Sequence, residues 1–355
     1  MEKKSVSIIG TVGLPACYGG FESLVDNITK NVSENIQYTV FCSSKSYKTK
    51  KDRFNNAILK YIPLNANGIQ SIPYDILSLC RCIISKPNTV LILGVSGCMF
   101  LPIYRLFSKS RVITNIDGLE WKRDKWNSLA KKILKFSEKL AIKYSDVIIA
   151  DNQAIADYIL KEYNISAKVI AYGGDHVFTT KIDNNISLKE KEYYLSICRV
   201  EPENNTALIL ESFADNQKKL IFIGNWNNSD YGISLKNKYS KFSNIQLLDP
   251  IYDISILYQY RVNCKGYIHG HSAGGTNPSL VEAMHIAQPI IAFDCSFNRY
   301  STENKALYFH DAPSLSNIII SSDDEMLKNN SIAMKEIALK KYKWDIITSE
   351  YEDIY

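Results

Sequence analysis

The sequence contains no Cys-x-x-Cys pair, and its five histidines fall at no zinc-ligand spacing from its eight cysteines, Cys17, Cys42, Cys80, Cys82, Cys98, Cys198, Cys264 and Cys295. A zinc-ribbon is therefore not expected, and 355 residues are too many for a small disulfide scaffold. Several of these thiols sit in apolar runs such as 38–42 and 195–198, where a cysteine behaves as a small hydrophobe, and a reducing cytoplasm is the expected compartment. The apolar run before Gly10 is too short for a secretory signal. One charge-free stretch, 87–104, approaches spanning length, but Pro87, Asn88, Gly94, Ser96, Gly97 and Pro102 break it into a buried strand, a loop and a helix start. No repeat of solenoid period is present.

What the chain does have is the composition of a packed soluble protein: 355 residues, 46% apolar and 22% charged, more than one hydrophobic core usually supports. Two domains are expected. Charge is unevenly spread. Residues 122–143 hold eight basic side chains (Lys122, Arg123, Lys125, Lys131, Lys132, Lys135, Lys139, Lys143) against Asp124 and Glu138, a local +6; with +5 overall, everything else comes to −1. A uniform nucleic-acid footprint is excluded, and one cationic element needs an explanation.

Short β-branched apolar runs recur at 6–9, 38–42, 90–93, 112–114, 147–150 and 169–171, with helix-length segments between most of them. A second series follows at 193–197, 220–223, 245–248, 266–269, 289–293 and 306–309, after a polar linker at 178–191. This βαβ alternation predicts an α/β protein of two Rossmann-like, doubly wound domains facing a central cleft. In such sheets ligands bind beyond the carboxyl ends of the strands.

Two of the loops beyond strands are rich in glycine. The first, Gly10 to Glu22, leads from a strand into a helix and can hold a phosphate at Gly19 and Gly20, yet it lacks both the dinucleotide-type G-x-G-x-x-G spacing and a P-loop lysine. A packing turn is the competing reading. The second, His269 to Met284, places Gly274, Gly275, Thr276, Asn277 and Ser279 before or at a helix start, with Asn277 able to cap and Pro278 suited to the first turn. Glu282 then projects from that helix toward a ribose, or closes a capping box with Ser279.

Taken together, GTVGLPACYGGFE (10–22), NIDGLEWKRDKW (115–126), IIADNQAIADYI (148–159), YGGD (172–175), RVEPENN (199–205) and GHSAGGTNPSLVEAM (270–284) resemble the retaining family-four GT-B glycosyltransferases, in particular bacterial polysaccharide rhamnosyltransferases. The resemblance implies a GT-B fold with an acceptor-side domain at 1–175, joined by a carboxy-terminal helix at about 341–355 that crosses back, and a nucleotide-sugar domain at 176–340. It implies a hexosyltransferase that moves a sugar, L-rhamnose from TDP-rhamnose or another sugar from UDP, onto a polyprenyl-diphosphate-linked saccharide in capsule or O-antigen synthesis, with retention and without metal or other cofactor. No D-x-D motif occurs.

Carried over residue by residue, Arg199 grips the donor diphosphate, Asn204 stands among the donor contacts where relatives place a second cation, and Glu282 holds the ribose. The partner glutamate of the E-x7-E pattern is replaced by Gly274. Asp117 stands where relatives have a histidine near the reacting sugar, so Asp117, Arg199 and Glu282 form the expected catalytic set. Asp117 also reads as a turn-forming Asp-Gly pair. Tyr18, Glu22, Glu120 and Trp121 are the expected acceptor contacts, Trp121 with plain packing as the alternative. Replacing Arg199 or Glu282 is expected to abolish transfer and spare the fold. The basic segment, with Leu129, Ile133, Phe136 and Leu140 at helical spacing, is expected to face either the core or an anionic lipid surface, the latter placing the protein peripherally on the inner face of the membrane. A nucleotide-sugar epimerase of the same fold and a silent nucleotide-sugar or lipid-binding protein are the alternatives.

Overall fold

The computed structural model describes residues 3–17, 19–116, 118, 119, 121, 127–178 and 191–355. The chain forms two compact units, one of Met1–Tyr172 with Trp344–Tyr355, the other of Gly173–Lys343. Both have a sheet of predominantly parallel strands covered by helices, the two-domain α/β fold read from the sequence.

In the first unit the strands are β1 (Lys4–Ile9), β2 (Ile36–Ser43), β3 (Arg53–Phe54), β4 (Ala57–Ile62), β5 (Thr89–Leu93), β6 (Arg111–Ile116), β7 (Val147–Ala150) and β8 (Lys168–Val169), in the order β3-β4-β2-β1-β5-β6-β7-β8. Only the short β3–β4 pairing is antiparallel. The helices are α1 (Gly20–Lys30), α2 (Ser71–Ser85), α3 (Leu101–Phe107), α4 (Ser128–Tyr144) and α5 (Gln153–Tyr163). Because β-helix-β crossovers are right-handed, α2 to α5, which all advance in one direction along the sheet, cover one face, and α1, which runs the other way, covers the opposite one. The stretch 87–104 resolves into β5, a loop and the start of α3. Among the described residues no helix is long and apolar enough to cross a membrane.

Close packing dictates the first glycine loop. Gly10 (φ +88°) lies where a Cβ would come within 2.0 Å of the Leu93 carbonyl oxygen, and a Cβ on Gly13 (φ +124°) would meet the Cys42 Sγ at 2.5 Å.

The second unit carries β9 (Tyr193–Ile197), β10 (Lys219–Ile223), β11 (Ile245–Leu248), β12 (Gly266–His269), β13 (Ile290–Phe293) and β14 (Leu307–Phe309), all parallel, in the order β11-β10-β9-β12-β13-β14. Its helices are α6 (Thr206–Ala214), α7 (Asp230–Tyr239), α8 (Ile254–Val262), α9 (Pro278–His285), α10 (Ser296–Ser301), α11 (Ala312–Ser321) and α12 (Asp324–Lys341). From β9 the chain winds first to β10 and later to β12 on the other side, so the topological switch point lies between β9 and β12.

The last helix, α13 (Trp344–Glu352), belongs to the first unit. Trp344, Ile347 and Tyr351 join the core that holds Ile8, Val40 and Leu91. Asn115 Nδ2 donates to the Tyr351 hydroxyl at 2.8 Å, and the Tyr38 hydroxyl to that of Tyr355 at 3.1 Å. Tyr351→Ala should therefore leave both a cavity and an unpaired amide, lowering unfolding stability by about 3–5 kcal/mol in denaturant titration; a loss under about 1 kcal/mol would mean that α13 is dispensable.

Candidate functional site

Three loops at the carboxyl ends of the second sheet are stitched together at the switch point. After β12, Ser272 donates from its amide (2.9 Å) and its hydroxyl (2.8 Å) to the Glu203 carbonyl in the loop after β9, and Asn205 Nδ2 returns a bond to the Gly270 carbonyl at 2.8 Å. A Cβ on Gly270 would sit 2.2 Å from the Asn204 carbonyl oxygen, so this contact needs glycine. The loop after β10 is tied in by the Val200 amide, which donates to Asn225 Oδ1 at 2.7 Å. These bonds fix the backbone on either side of Arg199.

The Arg199 side chain is itself 39% exposed, and Nη1 lies 3.5 Å from Glu201 Oε1. A guanidinium so placed has donors left for an anion. Asn204 corrects its assignment: it is buried and Nδ2 donates to the Arg199 carbonyl at 2.8 Å, so it holds the arginine's backbone instead of meeting a phosphate.

Asn277 caps α9, accepting from the Ser279 amide at 3.0 Å. The Ser279 hydroxyl donates to Asn277 Oδ1 (2.7 Å) and accepts from the Tyr267 hydroxyl (2.8 Å), and Thr276 is buried. Both side chains serve the loop itself, which leaves the backbone of the loop as its ligand-facing resource. Gly274 has φ +112° with open space where a Cβ would project. A glutamate would fit there sterically but not conformationally, because side-chain-bearing residues rarely adopt that φ.

Glu282 takes no part in a capping box. Its carboxylate ion-pairs with Arg261 Nη2 from α8, and Oε1 lies 3.1 Å from His176 Nε2. The Glu282 side chain is 15% exposed and that of Arg261 4%. Burial alone would raise the glutamate's pKa; the Arg261 guanidinium and the His176 imidazole outweigh it, bringing the pKa down from 4.5 to about 2. Neither partner was visible as a motif. His176 directly follows the quoted YGGD, and Arg261 comes from a helix with no recognisable pattern. Beside this helix His269, at the end of β12, stacks on His271 (centroids 4.4 Å apart, 12° between planes); burial depresses the His269 pKa to about 3, so its ring stays neutral.

In the first unit, Gly19 (φ +102°) precedes α1 without a side-chain cap, and Gly20 is the helix's first residue. Glu22 is another correction. It is buried, and Oε1 accepts from the Thr11 hydroxyl (2.9 Å) and the Val12 amide (2.8 Å), so it ties down the glycine loop and is not an open acceptor contact. The Trp121 indole N–H donates to Glu138 Oε2 at 3.0 Å, and the Lys135 ammonium sits 4.7 Å from the Trp121 ring centroid. Buried Glu138 also accepts from Tyr158 (2.8 Å), Tyr163 (2.6 Å) and Lys135 (3.1 Å). Trp121 is thus anchored on α4, in agreement with its packing reading. Tyr18, Asp117 and Glu120 lie outside the described residues, as does most of the polar linker. Among the described residues no cluster suited to a metal ion occurs.

Residues 178–319 match the family described as glycosyl transferases group 1, and residues 3–175 match a domain of unknown function, DUF1972. The chain carries a group 1 glycosyltransferase domain. No curated protein sequence matches it. Among solved structures it is similar to sucrose-phosphate synthase from Thermosynechococcus elongatus, with a TM-score of 0.82 at 14% identity over 99% of this chain and 98% of that one. The Anabaena HepE structure in complex with UDP gives 0.74 at 14% identity over 99% and 98%, and the trehalose-6-phosphate synthase OtsA 0.75 at 10% identity over 99% of each. The whole chain therefore has the GT-B glycosyltransferase fold.

The Glu282–Arg261 pair revises the expectation that Glu282 can be replaced without cost to the fold. Glu282→Gln leaves a buried guanidinium without its counter-charge and should cost about 3–5 kcal/mol at neutral pH. A carboxyl with a depressed folded-state pKa stabilises above its unfolded value of 4.5 and loses that contribution as pH falls toward about 2. In urea titrations the gap between wild type and Glu282→Gln should hold steady above pH 4.5 and narrow below it; a gap that widens on acidification would contradict the pairing.

Proposed function

We propose that this glycosyltransferase moves a sugar, L-rhamnose by preference, from a nucleoside diphosphate to a polyprenyl-diphosphate-linked saccharide, with retention of configuration and without a metal. The observation that carries the reading is the convergence, at the switch point of the second sheet, of the half-exposed Arg199, the open backbone around Gly274 and the amino terminus of α9. Arg199 and the helix terminus supply positive charge, and the loop around Gly274 supplies open backbone, where a diphosphate gathers negative charge on leaving. Glu282, kept ionised by Arg261 and His176, is a ready acceptor for ribose hydroxyls. HepE, of the same fold, has been solved with UDP and with UDP-glucose, which supports a nucleotide sugar as donor.

In this mechanism the donor's glycosidic carbon–oxygen bond breaks with the electron pair going to the diphosphate, which Arg199 and the loop amides stabilise. The departing phosphate takes the proton of the acceptor hydroxyl as that oxygen bonds to the same face of the sugar. Nothing in the described residues names a deoxysugar, so rhamnose and the lipid-linked acceptor rest on the family resemblance.

The test is a panel of TDP- and UDP-sugars incubated with a lipid-linked saccharide, reading nucleotide release and product. Wild type should release nucleotide only when acceptor is present, and Arg199→Ala should lower that rate by at least about a hundredfold with an unchanged melting temperature. An isomerised nucleotide sugar, or wild-type turnover in Arg199→Ala, would overturn the assignment.

A further inference from the structure

Helix α4 buries only part of the apolar stripe read from its sequence: Ile133 and Leu140 are half-buried. Its core side is made of Leu134, Ala141 and Ile142, whereas Leu129 and Phe136 are exposed, and Lys132, Lys139 and Lys143 continue the same outer stripe at spacings of three and four. Lys135 turns inward to the Glu138 and tyrosine cluster, and Lys122, Arg123 and Lys125 lie outside the described residues.

The neighbouring helices show the same anomaly. On α3, which packs against α4, Leu106 is 78% and Phe107 65% exposed; on α2, which packs against α3, Ile84 is 78% exposed. Single exposed apolar residues need no explanation, but these sit on three consecutive helices covering one face of one sheet. Among the described residues of these helices, exposed charge has one sign. Between residues 68 and 145 the described acids are Asp75 and Glu138, both buried, while Arg81, Lys86, Lys109, Lys132, Lys139 and Lys143 are exposed. Of the acids that follow, Asp146 pairs with Arg105 at 2.7 Å and Glu162 with Lys135 at 3.1 Å, Asp151 is buried, and Asp157 on α5 accepts from Gln153 at 2.8 Å.

We propose that the outer face of α2, α3 and α4 is a docking surface for an anionic lipid bilayer, with Leu106, Phe107, Leu129 and Phe136 entering the headgroup boundary and the surrounding lysines and arginines meeting the lipid phosphates. Apolar side chains and cations sharing one helical face, with no exposed acid among the described residues of α2, α3 and α4, match such a surface, where burial and charge attraction act together. The proposal deepens the reading of a lipid-linked acceptor and rests on it for its purpose, though its test does not use that reading.

The test is co-sedimentation of the full chain with phosphatidylcholine vesicles, with and without phosphatidylglycerol, in the absence of nucleotide sugar. Wild type should bind the anionic vesicles, and added salt should weaken that binding. The pair Leu106→Ser/Phe107→Ser and the pair Lys132→Glu/Lys139→Glu should each lower partitioning by at least about tenfold. Ile332→Ser/Leu339→Ser, also exposed apolar residues but on α12 of the other unit, should bind like wild type. Absence of wild-type binding, undiminished binding by both surface pairs, or a wild-type dimer in analytical ultracentrifugation that Leu106→Ser/Phe107→Ser dissociates would overturn the surface. Lipid binding that persists while no nucleotide sugar is turned over would keep the surface and sink the transferase reading; the reverse pattern would do the opposite.

Discussion

A carboxylate that stays charged where little water reaches it must be held there by opposite charge, and that constraint organises the second unit. Glu282 on α9 is fixed by Arg261 on α8 and by His176, a few residues after the chain enters this unit. Three segments remote in sequence are brought to one point, and the orientation of α9, whose amino terminus faces the loop after β12, is set by it. The capping of α9 by Asn277 and the stitching of Ser272 to Glu203 complete the frame that fixes the loops after β9 and β12. Arg199 adds a half-exposed cation on a fixed backbone.

This arrangement gives the departures from the family pattern a physical sense. The pattern's first glutamate is missing at Gly274, where a backbone at φ +112° favours glycine. The second cation is missing at Asn204, whose neutral amide is spent on holding the Arg199 carbonyl. In both places a charged side chain gives way to backbone geometry: a left-handed glycine at 274 and an amide that holds the Arg199 carbonyl at 204. A loop of that kind tolerates few substitutions, and the close approach of Gly270 to Asn204 shows why.

The fold was readable because parallel strands buried on both faces appear as uninterrupted apolar runs, and 193–197, 245–248 and 266–269 are strands to the residue. β4 was overlooked: Lys60 interrupts it and its faces alternate between buried and exposed, the signature of a strand near the sheet edge. The strand-to-helix loops were readable for a related reason, since ligands of such sheets bind beyond the strand ends, and Arg199 and Glu282 were singled out as candidates there. What the sequence does not carry is the direction in which a polar side chain turns. Glu22 folds back onto Thr11 and Val12, Asn204 faces inward, Lys135 leaves the cationic face for an aromatic cage, and Leu129 and Phe136 face outward. Arg261 and Asn225 escaped notice because their roles arise only from tertiary pairing.

The most direct test of the donor site is a crystal structure of the chain with a nucleoside diphosphate bound. The diphosphate should lie against Arg199 and the amides of 274–277, with the ribose hydroxyls on the Glu282 carboxylate and Arg261 still paired behind it. A nucleotide found away from these loops, or one that leaves Arg199 and Glu282 untouched, would contradict the account.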